Sequence, residues 1–154
     1  MNALIVLVSY HHMNTEKVAK VIANVLDAEI KTPLQTDPNS LSAYDLVGFG
    51  SGIYFSKPSK DLLNFVDKLP QAAHKKAFIF STSGRTGKAA LKFHNSLKEK
   101  LAAKGFDILG ELNLAGYDTF GALKIVGGVN KGRPNEEDLK QAEMFATGLK
   151  QSPN

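Results

Sequence analysis

The chain has 154 residues, 43% of them hydrophobic and 22% charged, the balance of a folded domain able to bury a core. It contains no cysteine, which excludes disulfides, thiolate catalysis, iron–sulfur clusters and cysteine-ligated zinc, and leaves redox chemistry to a bound organic cofactor. The net charge of +4 is mild and its lysines are scattered along helical patterns, so it favours anionic ligands or acidic partners rather than marking a nucleic-acid footprint.

Ala3–Val8 is a continuous apolar run, as expected of a strand covered on both faces. It is too short and too soon followed by polar residues for a signal peptide, and no run approaches the roughly 20 residues of a membrane span. A cytoplasmic protein without membrane contact is the expectation. From Val18 the period changes, with Val18, Ile22, Val25 and Leu26 on one helical stripe and Asn14 or Thr15 as its cap. Ala28–Lys31 is a short strand, Pro33–Ser42 a loop, and Asp45–Gly50 the next buried strand. Pro58 suits a first helical turn, ahead of an apolar face formed by Leu62, Leu63, Val66 and Leu69.

Lys76–Ser81 reads as another buried strand, followed by a helix from about Lys88 to Lys104 with His94 in its apolar register and Gly105 as C-cap. Phe106–Leu114 is the fifth strand. About 20 residues, Ala115–Pro134, then precede the last helix, which Asn135 caps and which carries Leu139, Ala142, Met144 and Phe145. In that stretch, Leu123–Val126 suits a short strand, and Tyr117 and Phe120 suit a lid or docking surface. Buried strands alternating with helices imply one α/β domain: a three-layer, doubly wound, five-stranded parallel sheet.

Ligands of such sheets bind outside the carboxyl ends of the strands. Three segments there are rich in small and hydroxyl residues. Ser9–Thr15 leads into a helix N-terminus, where N–H groups and the dipole favour an anion, although Asn14 and Thr15 serve equally as caps. Ser51, Gly52, Ile53, Tyr54 and Phe55 place two aromatics past a strand, suited either to stack on a planar ring or to plug the sheet. The third segment runs from Ser81 to Gly87. Its Gly87-Lys88 is too close to Gly84 for a phosphate loop of the nucleotide triphosphatases, and Ala89 stands where that loop needs a hydroxyl. No G-x-G-x-x-G follows the first strand, and adjacent His11 and His12 are no metal motif.

Together the three loops resemble the flavodoxin family, in order and spacing over almost the whole chain. Asn14-Thr15-Glu16-Lys17 matches the family's ending of the phosphate loop, Ser-Gly-Ile-Tyr at 51–54 its second loop, and Ser-Thr-Ser-Gly at 81–84 its third. The resemblance implies FMN as cofactor. Ser9, His11, Met13, Asn14 and Thr15 would then meet the phosphate, and Ser51, Gly52, Ile53, Tyr54 and Phe55 one ring face. Thr82, Ser83, Gly84 and Arg85 would line the flavin's polar edge. The first loop is a residue longer than usual, and Met13 replaces a glycine found in loops of its type.

By the same resemblance the chain is expected to carry electrons between redox partner proteins, a reductase and an acceptor. The chain's positive balance suits partners with acidic surfaces, and with no exposed apolar stripe evident in the sequence a monomer is the expectation. An FMN-dependent oxidoreductase acting on NAD(P)H, a quinone or protoporphyrinogen is the alternative, with His11, His94, Arg85 or Lys88 assisting the substrate. A receiver domain is disfavoured, because Asp45 opens its strand instead of ending it.

Overall fold

The computed structural model describes residues 1–10, 13–116 and 131–151. All six residues of β1 (Ala3–Val8) are buried, as an interior strand covered on both faces requires. The chain continues through α1 (Asn14–Leu26), β2 (Glu29–Lys31), β3 (Leu46–Tyr54), β4 (Lys57–Pro58), α2 (Lys60–Asp67) and β5 (Lys75–Ser83). After these come α3 (Asn95–Ala103), β6 (Phe106–Ala115) and α4 (Glu136–Lys150). Five strands run parallel in the order β2-β1-β3-β5-β6, and the two-residue β4 folds back antiparallel on the end of β3. The order reverses between β1 and β3, which makes their carboxyl ends the switch point where such sheets open a ligand crevice.

Alternate residues of each strand feed two cores. On one face Leu4, Val6, Val47, Phe49 and Ile79 meet α2 and α3; on the other Ile5, Leu7, Phe78 and Phe80 meet α1 and α4. Gly48 and Gly50 make the second face possible. A Cβ on either would lie 2.2 or 2.1 Å from the ring of Phe78 or Phe80, so these two aromatics rest directly on the β3 backbone. Among the described residues no helix is long and apolar enough to cross a membrane.

Several local expectations shift. Pro58 lies in β4, paired with Ile53, and Ser59 caps α2 by accepting the Asp61 N–H at 3.2 Å; a proline tolerates this edge position because it has no N–H to pair. The helix expected from Lys88 divides into 3₁₀ turns over Lys88–His94 and then α3, with the buried His94 held at the junction by two hydrogen bonds. Asn135 caps α4 in a reciprocal capping box with Asp138. Arg133 also pairs with Asp138 and holds its carboxyl below the usual range. Met144, expected on the apolar face of α4, points to solvent, while Ala142, Ala146 and Leu149 are buried. Pro33–Ser42 carries two short 3₁₀ turns. Tyr117, Phe120 and the strand expected at Leu123–Val126 lie outside the described residues.

Candidate functional site

Strand register brings the three loops to one edge. Val8 pairs with Ser51, Ser51 with Ser81, and Ser81 with Asn113; one residue further, Gly52 pairs with Thr82 and Thr82 with Leu114. Four strands therefore share one row near their carboxyl ends, where Ser51, Ser81 and Asn113 place small polar residues across the middle of the sheet.

The first loop closes on α1 in an unusual way. Met13, not Asn14 or Thr15, is the N-cap, at φ 53 and ψ 34, and it offers no side-chain cap. A left-handed conformation costs a residue with a Cβ about 1–2 kcal/mol, so the position that favours glycine in sequence terms is left-handed here with methionine in it. Asn14 and Thr15 sit inside the helix and are buried. Ser9 accepts the Glu16 N–H at 3.1 Å and so does part of the capping from outside the helix. Thr15 Oγ1 lies 2.8 Å from Thr82 Oγ1. Two hydroxyls bring two protons, and one bond between them uses one. The other O–H has no acceptor among the described residues, inside a pair only 2% and 4% exposed. His11 lies outside the described residues.

The second loop is a tight hairpin. Ser51 donates to the Gly52 carbonyl at 2.6 Å and accepts the Ser59 N–H at 2.9 Å, tying the root of the hairpin to the start of α2. Phe55 and Ser56 both have positive φ, 51 and 63, between the paired residues Tyr54 and Lys57. Two left-handed residues in a two-residue loop are the signature of a type I′ turn, which normally selects Asn-Gly. Holding Phe55 there, 83% exposed, is strain of the kind that gathers at binding sites. Tyr54 instead folds back: a Cβ on Gly52 would lie 2.7 Å from its hydroxyl, and burial raises its pKa. Ile53 is half-buried beside it.

Tyr10 adds a third aromatic, its ring 5.9 Å from that of Tyr54 and tilted by 47°. Its hydroxyl donates to Asp61 in α2, and that carboxylate raises its pKa. Beyond this pair, between α2 and the turn after β2, lies a cavity of about 530 Å³ bordered by Leu34, Asp61, Phe65 and Lys68.

In the third loop Thr82 faces α1, while on the other face Ser81 meets His94, just ahead of α3, and Ser83 meets Asn113 of β6. Ser83 donates to the Arg85 carbonyl, Gly84 is half-buried and the Arg85 side chain is exposed. Beneath the loop, Ser81 Oγ lies 2.6 Å from His94 Nε2, and His94 Nδ1 lies 3.0 Å from Glu111 Oε1. Glu111 also pairs with Lys98 at 3.0 Å, and Asn113 donates to Ser81 at 2.8 Å and to Ser83 at 3.1 Å. Burial lowers the pKa of His94 against the opposing pull of Glu111.

Of the expected site residues, the rim thus unites Ser9, Met13, Asn14, Thr15, Ser51 to Phe55 and Thr82 to Arg85. Asp61, Glu111 and Asn113 went unnoticed in sequence terms, Tyr10 figured only as part of the first loop, and His94 read as an apolar helix position or, in the enzyme alternative, as a group assisting the substrate. For two of them a signal exists: Glu111 and Asn113 are polar residues two apart near the end of a strand, hence on one face beside the rim.

Residues 5–138 match the model of the flavodoxin domain. The chain belongs to this family. An uncharacterized protein of Methanocaldococcus jannaschii is 49% identical over 149 residues, covering 97% of this chain and 98% of that one. Among solved structures, oxidised flavodoxin 2 from Bacillus cereus superposes with a TM-score of 0.73 at 21% identity, covering 98% and 99% of the two chains. The Trp repressor binding protein from Bacillus subtilis does so with a TM-score of 0.68 at 17% identity over all of both chains. At those identities the likeness is one of fold.

Proposed function

We propose that the chain binds FMN at the carboxyl rim and passes its electrons between redox partner proteins. The observation that carries this reading is the buried Thr15–Thr82 pair, whose spare O–H stands at the start of α1 without an acceptor among the described residues. A phosphate or flavin oxygen is the acceptor that such a donor, at a helix N-terminus, is suited to. Ser9, His11, Met13, Asn14 and Thr15 would hold the phosphate. Ile53, Tyr54 and Phe55 would cover a ring face, and Thr82 to Arg85 the polar edge. FMN supplies one- and two-electron chemistry when bound; the chain's residues bind it, orient it and limit its contact with water.

The test is a visible spectrum and a fluorescence titration of the purified chain with FMN. Saturable one-to-one quenching with a shifted flavin spectrum is expected, and a colourless protein that leaves FMN fluorescence unchanged would refute the reading.

The cavity beside Tyr10 and Asp61 favours a second reading, an oxidoreductase with its substrate next to the flavin. Steady NAD(P)H oxidation by the FMN-loaded chain alone would select it. A carrier needs a separate reductase, and its expected partners, with acidic surfaces, would suit the chain's positive balance.

A further inference from the structure

The hydrogen bonds beneath the third loop have one direction. Glu111 is a carboxylate held by Lys98 and can only accept, so neutral His94 must carry its proton on Nδ1. Nε2 is then an acceptor, and Ser81 donates to it at 2.6 Å. Ser81 Oγ in turn accepts from Asn113 Nδ2 at 2.8 Å, whose second hydrogen goes to Ser83 Oγ at 3.1 Å. Ser83 is left to donate to the Arg85 carbonyl, since its other contact, Asn113 Oδ1 at 3.5 Å, is too long to compete. Every donor has an acceptor, and the chain of bonds runs unbroken from Glu111 on β6 to the backbone of the loop.

We propose that His94 is a positioning residue for the 82–87 loop: neutral, it fixes the Arg85 carbonyl through Ser81, Asn113 and Ser83, and its protonation releases it. A protonated ring donates from both nitrogens. Ser81 would then have to accept from Nε2 and from Asn113 together, filling both lone pairs and leaving its own O–H without an acceptor, 2% exposed. A buried donor without a partner is costly, so the Asn113 amide turns over: its Oδ1 then accepts from Ser81 and from Ser83, and Ser83 leaves the Arg85 carbonyl. The charged groups acting on His94 are Glu111 from β6, which favours its protonated form, and Lys98 from α3, which opposes it. Lys57 of β4, packed against the same turn, and Lys88 and Lys92 of the turn itself are exposed to solvent. Burial outweighs Glu111, so the release falls below the ordinary histidine range. The geometry stands without a cofactor; the consequence for ligand binding rests on the proposed FMN site.

The experiment follows the full chain by NMR between about pH 5 and about pH 8, first without FMN. Expected are an Nδ1–H tautomer for His94 at the upper end and amide shifts of Ser83 to Gly87 that share the midpoint of the His94 ring. In Asn113→Ala the ring still titrates but the loop amides no longer follow it. A merely structural histidine would leave the loop amides indifferent to its titration. An Nε2–H tautomer, loop amides with a different midpoint, or amides that follow equally in Asn113→Ala would each overturn the proposal. With FMN added, affinity should fall severalfold more on acidification in the wild type than in Asn113→Ala, a comparison in which titration of the phosphate itself cancels; an equal fall in both would also overturn it. If FMN does not bind at all, the proposed function fails, while the tautomer and the amides still decide the role of His94.

Discussion

The end of β5 presents two hydroxyl systems on opposite faces, one residue apart. Thr82 turns toward α1 and meets Thr15, hydroxyl to hydroxyl, with no charged group in the pair. Ser81 and Ser83 turn the other way, into a chain that passes through His94 and ends on the ion pair of Glu111 and Lys98. The residue types are nearly the same and the strand is the same; the period of two alone sends them to different neighbours. One face leaves a donor without an acceptor among the described residues. The other face uses its donors internally and carries the only part of this edge, among the described residues, whose bonding depends on a buried histidine. The proposed binding and its support are thus separated by a single step along one strand.

The comparison is broken hardest at the histidine. His94→Leu preserves volume but deprives Ser81 and Glu111 of a partner, and should lower stability by about 2 kcal/mol in a denaturant titration. It should also remove a pH dependence. The folded pKa of His94 is lowered, so its contribution is complete above the unfolded value near 6.5 and declines as pH falls from there toward the folded value. A stability curve of unchanged pH slope in the variant would show that His94 does not titrate as argued.

On the opposite face, Thr82→Val strands the Thr15 hydroxyl. The expected loss is about 1 kcal/mol, equal at high and low pH because neither hydroxyl titrates. If the spare O–H is given to FMN, binding should weaken roughly tenfold in fluorescence titrations. A stability loss with unchanged FMN affinity would leave the pair structural only.

Arg85→Ala probes the exposed end of the loop that both faces support. Stability should not change, since its side chain makes no ion pair among the described residues. Beside a flavin, the cation would stabilise the charge added on reduction, so the reduced-state potential should become more negative by roughly 40 mV, the equivalent of ~1 kcal/mol for one electron. An unchanged potential in a redox titration would place the guanidinium away from the flavin.

The smallest effect belongs to a position outside both systems. Met13→Gly removes the left-handed strain at the start of α1 but frees the unfolded chain, for a net gain below about 1 kcal/mol by thermal denaturation. A loss instead would mean that the methionine side chain is held by something its 52% exposure does not suggest.

Much of this was legible in the residues alone. The apolar runs at Ala3–Val8, Asp45–Gly50 and Lys76–Ser81 have the length and composition of doubly covered strands, and apart from Asp45, one residue ahead of β3, they lie within β1, β3 and β5. Pro58 misled because its fixed φ suits a helix start and an edge strand equally; only the pairing with Ile53 separates the two. Met13 was noticeable as a departure, since its side chain disfavours the conformation a glycine would take. That it takes that conformation anyway is a balance between local strain and the anchoring of α1, which a local propensity does not contain.

The sequence by itself determined the alternation of strands and helices, the flavodoxin-like order of the loops and their hydroxyl content, because these follow from period and composition along the chain. Tertiary structure alone decided the partners: Thr15 with Thr82, 67 residues apart, and Ser81 with His94 and Asn113. Hydrogen bonds between side chains are set by register across the sheet and by which face each residue takes, and one residue of slip would exchange the two faces. His94 shows the limit most plainly. In one dimension it occupies an apolar helical stripe; in three, the same burial that the stripe implies makes it the buried hub of a polar chain.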